Sequence, residues 1–159
     1  MLRLAPLALA AVLLTGCDGD SLSDFDLTCE DAGFSSTGTL TASTSNGTFR
    51  ANCFEVMTAA TALEVRGFDI DLDVGAGLGT LRGGVELVTE GLEPGTYVVG
   101  SGDEQNARAS FSPSPTSTLE AASGTVTIAE FSASRVRGSF AFETVNGATV
   151  SNGAFDIEL

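Results

Sequence analysis

The sequence contains no histidine, no lysine and no tryptophan, and Tyr97 is its only tyrosine. Without His or Lys, the Ser-His-Asp and Cys-His nucleophile systems and Lys-based chemistry have no residues to use. Zinc sites built from His and Cys are excluded too, because only Cys17, Cys29 and Cys53 are present. Carboxylates remain the only strong candidates for acid–base work. A two-carboxylate glycosidase survives on that ground, but it wants sugar-stacking aromatics that this chain lacks. Positive charge is scarce as well: seven Arg stand against 21 Asp and Glu, a net charge of −14. Such a surface repels nucleic acid, which needs a basic footprint. No cofactor is implied, and the composition points to a non-enzymatic protein.

Long apolar runs are missing too. The longest, Leu4 to Leu14, holds Leu, Ala, Val and one Pro and follows a single charge at Arg3. It is too short to span a bilayer core, which takes ~20 helical residues. A charged start, a short apolar run and small residues at its end predict a secretory signal peptide over residues 1–16. The close of that run, Leu14-Thr15-Gly16-Cys17, resembles the lipobox of bacterial lipoproteins. The resemblance implies that Cys17 receives a diacylglyceryl group, that the leader is cut before it, and that the new amino terminus is acylated. The protein would then sit on a membrane of the bacterial cell envelope, lipid-anchored and facing away from the cytoplasm. Each buried CH₂ contributes ~0.8 kcal/mol, so two or more acyl chains hold stably where one does not. Loss of Arg3 with the leader leaves six Arg against 21 acids, a net −15.

With Cys17 carrying lipid, Cys29 and Cys53 are the only thiols left, and an oxidising compartment favours a disulfide between them. Residues 17–36 read as the lipidated cysteine and an acidic, solvated tether, with Asp18, Asp20, Asp24, Asp26, Glu30 and Asp31 and no basic residue. Asp18 resembles an inner-membrane retention signal, whereas the acidic run resembles a surface-export signal; these point in opposite directions, and both stay open.

Residues 37–159 read as one all-β domain. Leu40 and Ala42 alternate with threonines; Asn46-Gly47 is a strong hairpin signal; Phe49, Ala51 and Cys53 follow on one face. Thr58 to Thr61 is a loop or a single helical turn. Phe68, Ile70, Leu72 and Val74 alternate with Asp69, Asp71 and Asp73. Glu93-Pro94-Gly95 predicts a type II turn. Val126 and Ile128, then Val136, Phe140 and Phe142, and finally Phe155, Ile157 and Leu159 alternate with polar residues. Roughly eight to ten strands, paired antiparallel, predict a β-sandwich, with a flattened up-and-down barrel as the alternative. The phenylalanines at period-two positions are core.

Three constellations carry chemistry on paper. Asp69, Asp71 and Asp73 are a weak metal candidate, since alternate side chains on a strand lie ~6.6 Å apart and need ligands from elsewhere to converge. An EF-hand is excluded by Val74 and Thr80 at the positions of its Gly and Glu, and a solvated strand face is the expectation. Arg135 and Arg137 share an outward face, where cross-strand pairing with acids is expected. Asn46-Gly47-Thr48 has the form of a glycosylation acceptor and is better read as a turn.

The order of motifs is similar to a family of uncharacterised secreted all-β bacterial lipoproteins. The motifs are Asn46-Gly47-Thr48-Phe49-Arg50-Ala51, Gly95-Thr96-Tyr97, Gly124-Thr125-Val126-Thr127-Ile128, Gly138-Ser139-Phe140-Ala141-Phe142 and Asn152-Gly153-Ala154-Phe155. The resemblance implies an all-β secreted domain and brings no catalytic residues. The expectation is a membrane-anchored lipoprotein whose β-domain does binding or structural work, its protein or small-molecule ligand unknown. A barrel-type small-ligand carrier and a carboxylate hydrolase are the alternatives.

Overall fold

The computed structural model describes residues 28–72, 80–100 and 103–159. Period-two alternation resolves into ten strands, at the top of the expected range: β1 Gly38–Thr44, β2 Gly47–Arg50, β3 Cys53–Ala59, β4 Ala62–Asp71, β5 Thr80–Thr89, β6 Gly95–Val99, β7 Ala107–Ser114, β8 Ser117–Phe131, β9 Arg135–Thr144 and β10 Thr149–Glu158. They form one open sheet in the order β2-β1-β10-β9-β8-β6-β7-β5-β4-β3. Sequence neighbours pair antiparallel through most of it, as short connections dictate.

The sheet is mixed, not purely antiparallel, because of β6. The fifteen-residue β8 pairs with β7 along its first part, from Ser117 to Glu120. Its later part, Gly124 to Ile128, pairs with β6 instead. β6 therefore wedges into the fork between β7 and β8, and meets β7 in a parallel pairing, Val99 with Ala107.

The chain passes from β2, at one end of the strand order, to β3, at the other, through Ala51 and Asn52 alone. So short a link brings the two ends of the sheet together. The Ala51 N–H donates to the Leu40 carbonyl on one side, and the Asn52 N–H to the Phe68 carbonyl on the other. Asn52 also offers its side-chain amide to Ile70, donating to its carbonyl at 2.7 Å and accepting from its N–H at 2.9 Å.

The inward face is one apolar core that includes Leu40, Phe49, Phe54, Leu63, Val85, Leu87, Phe111, Val126, Ile128, Val136, Phe140, Phe142, Phe155 and Ile157, all buried. Phenylalanine recurs opposite glycine in the register: Phe54 with Gly67, Phe68 with Gly84, Phe142 with Gly124, Phe155 with Gly138 and Phe140 with Gly153. At Gly138 and Gly153 the partner ring occupies the space of the missing side chain: a Cβ there would lie 2.4 Å from Phe155 Cζ and 2.5 Å from Phe140 Cδ2.

Several expectations need correction. Cys53 does not share a face with Phe49 and Ala51: the break at Ala51-Asn52 turns Cys53 outward while Phe54 enters the core. Phe68, Ile70 and Leu72 likewise belong to a second, outer cluster with Cys29, Cys53, Phe34 and Leu81. The last part of the expected tether is folded onto this cluster. A turn at Cys29–Phe34 closes on the Cys29 carbonyl, Phe34 packs against Phe68 with centroids 4.8 Å apart, and Ser35 bridges to Phe54. The first hairpin turns at Ser45-Asn46, with Gly47 already in β2 at φ 120°, one residue earlier than expected. Thr58 is in β3, and Ala60-Thr61 make the turn to β4. Glu93-Pro94-Gly95 is not a type II turn, because Gly95 lacks the positive φ and starts β6 opposite Ile128; the Tyr97 hydroxyl ties the bend by donating to the Glu93 carbonyl. Asn152-Gly153, which repeats the Asn46-Gly47 pair of the first hairpin, makes no turn; it is an irregularity inside β10, with Asn152 at φ 50°. Leu159 is exposed.

Candidate functional site

Cys17 lies outside the described residues, as do Asp73, Val74 and the Gly-rich stretch to Gly79. Cys29 and Cys53 form a disulfide, with Cα atoms 5.4 Å apart. It joins the turn ahead of β1 to the first residue of β3 and sits in the outer cluster.

Of the acidic row, Asp69 and Asp71 are half-buried near the end of β4. Asp71 pairs with Arg82 across to β5, and Asp69 adds to the field that favours the Arg82 charge. These two acids therefore share one cation and are not merely a solvated face. Among the described residues, no group of three or more Cys, Asp or Glu is placed to hold a metal ion.

The outward face of β3-β4-β5 carries a second ion cluster. Arg66 donates to Glu55 at 2.9 Å and to Glu86 at 3.2 Å and also pairs with Glu64. Burial works against the Arg66 charge, but the hydrogen bond it donates to Glu55 and the charges of Glu64 and Glu86 outweigh it, so its pKa is raised. Three carboxylates on one cation leave this face two charges negative. On β9 and β10, Arg135 grips Asp156 with two bonds of 2.7 and 2.6 Å, and Arg137 reaches Glu130 at 3.5 Å, as cross-strand pairing predicts. The Arg135 bonds hold the Asp156 carboxyl below its ordinary pKa, and the Ser36 hydroxyl does the same for Glu30. A downward shift suits a structural ion pair; a general acid at neutral pH needs the opposite.

The surface feature that sequence reasoning missed is the outer edge of β3. A groove of about 380 Å³ runs beside it, lined by Gly33, Ser35, Phe54, Val56 and Met57 on one side and Ile157, Glu158 and Leu159 on the other. Met57 and Leu159 are among the few large apolar side chains exposed on the described surface. A hollow of about 450 Å³ at the fork of β6 and β8 is lined by Val98, Val99, Asp103, Glu104 and Ser123 among others, and is more polar. The motifs singled out in the sequence line neither: Gly124, Gly138 and Gly153 are spent on packing inside the sheet, while no side chain meets the Cβ position of Gly47 or Gly95.

Residues 36–156 match the family described as a domain of unknown function, DUF6252. That span covers most of the chain, and the chain belongs to this family. No curated protein and no solved structure matches it.

Proposed function

We propose that this DUF6252 protein is a lipoprotein of the bacterial cell envelope, held to a membrane by acyl chains on Cys17, whose β-domain binds a partner outside the cytoplasm without catalysing a reaction. The observation that carries the reading is the Cys29–Cys53 disulfide. Disulfides persist in oxidising compartments and are rare in the cytosol, so the bond agrees with export by a leader cut before Cys17. The binding role draws support from the interior, where phenylalanine rings pack onto backbone glycines and fill the space a carried ligand would occupy. What remains for recognition is the outer surface, and the groove beside β3 is more apolar than the hollow at β6 and β8.

Metabolic labelling with a tagged fatty acid tests the anchor. The wild-type protein should take up label and fractionate with membrane, and Cys17→Ser should abolish both. An exported wild-type protein that stays unlabelled would overturn the lipoprotein reading.

A further inference from the structure

The β3 edge is built to accept another strand. Phe54 exchanges both main-chain hydrogen bonds with Ser35 at 2.8 Å, so its N–H and C=O face away from β4. Main-chain groups alternate in direction along a strand, so those of Val56 and Thr58 face the same way. Among the described residues nothing pairs with them. Edge strands are commonly blunted by charge, proline or a bulge. The run Val56-Met57-Thr58-Ala59 carries no charge and no proline, and its register with β4 is unbroken. The free edge borders the groove, where Val56, Ile157 and Leu159 offer apolar contact to every second residue of an added strand.

Charge selects the occupant. The outward face beside this edge carries Glu55 on β3 and Glu64 on β4 behind it, which share Arg66 with Glu86, and Glu158 lies across the groove. A second copy would bring the same acids edge to edge on chains of net charge −14. We propose that β3 binds an extended, lysine- or arginine-bearing segment of a partner protein by strand addition, its apolar residues in the groove and its cationic residues toward Glu55, Glu64 and Glu158. This deepens the binding half of the proposed function and does not rest on the anchor. Failed fatty-acid labelling would leave it standing, and failed strand addition would leave the anchor standing.

The probe is a fluorescent synthetic peptide of alternating lysine and valine, titrated against the full-length protein by anisotropy, with an alternating glutamate–valine peptide as control. The lysine peptide should bind, more weakly as salt rises, and the glutamate peptide should not. Thr58→Pro removes an outward N–H without touching the bonds to β4, and should weaken binding by about tenfold or more. Hydrogen exchange on the wild type gives a second readout that needs no variant: the amides of Val56 and Thr58 should exchange freely alone and become protected with peptide. Binding that is absent, survives Thr58→Pro in a folded variant, or leaves those two amides unprotected would overturn the proposal. So would protection of both amides before peptide is added, or dimerisation through this edge.

Discussion

Glycine is conspicuous in three of the sequence motifs, at Gly124, Gly138 and Gly153, and its role there is packing. Gly138 and Gly153 each accept a phenylalanine ring from the neighbouring strand, reciprocally across the β9–β10 hairpin. The sequence made the strands themselves legible: Phe140, Phe142, Phe155 and Ile157 are buried and Arg137 and Glu143 exposed, as alternation predicts, whereas Asp156, expected exposed, is half-buried in its pair with Arg135. It did not reveal why the glycines are there, because the ring that fills each gap lies on another strand, and register is a property of the fold. Replacing a strand glycine with alanine ordinarily stabilises by roughly 0.5–1 kcal/mol. Gly138→Ala should do the reverse. Its Cβ would lie 2.1 Å from the Thr127 carbonyl oxygen and 2.4 Å from Phe155 Cζ, with backbone on one side and a packed ring on the other. Overpacking of this kind destabilises by about 1–3 kcal/mol, so the urea midpoint should fall. Gly95→Ala is the control: nothing but the Glu93 carbonyl oxygen, 3.9 Å away, meets its Cβ, and its midpoint should hold or rise. If Gly138→Ala behaved like Gly95→Ala, the ring would not be seated on the glycine.

At the scale of elements, the decisive feature is the passage from β2 to β3. Alternation along Phe49, Ala51 and Cys53 predicts one continuous strand face, yet the face reverses between Ala51 and Cys53. The cause is Asn52, whose side-chain amide takes both main-chain bonds of Ile70 on a strand distant in sequence. That tertiary contact leaves no periodic trace, and the same reversal places Cys53 beside Cys29. The candidate site was hidden for a related reason. Thr58 to Thr61 carries none of the Gly, Asn, Asp or Pro that normally announce a hairpin, and Ala60 makes the turn at φ 44°. The end of β3 therefore reads as loop, and its free edge follows from a strand order that the sequence does not state. Asn52→Ala removes two hydrogen bonds and leaves the Ile70 groups without their partner. At a net contribution of about 0.5–1.5 kcal/mol per bond, it should lower stability by roughly 1–3 kcal/mol with the disulfide still formed. Chemical denaturation of the unreduced protein measures this, and a midpoint equal to wild type would show that the corner holds without Asn52.

Across the whole molecule, 21 acids face seven arginines, and this imbalance sets how the fold responds to salt. Two opposite effects compete. Screening weakens the attraction in the ion pairs of Arg66, Arg82, Arg135 and Arg137, and exposed pairs of this kind contribute little to stability. Screening also relieves repulsion among the surplus carboxylates, which acts between every pair within a Debye length, ~10 Å at 0.1 M salt and ~3 Å at 1 M. Self-repulsion at a net charge far from zero destabilises the compact state, and here repulsive pairs outnumber attractive ones. Stability should therefore rise with sodium chloride. A relief on the order of 1 kcal/mol would lift the melting midpoint by roughly 3–6 °C for a domain of this size. Chloride is the salt to use, since sulfate strengthens apolar burial by itself and would blur the reading. The same charge that makes strand addition of a cationic peptide weaken with salt thus makes the fold itself strengthen, so the two titrations run in opposite directions on one protein. A melting midpoint that fell as chloride rose would mean that the few arginine pairs outweigh the repulsion among the acids.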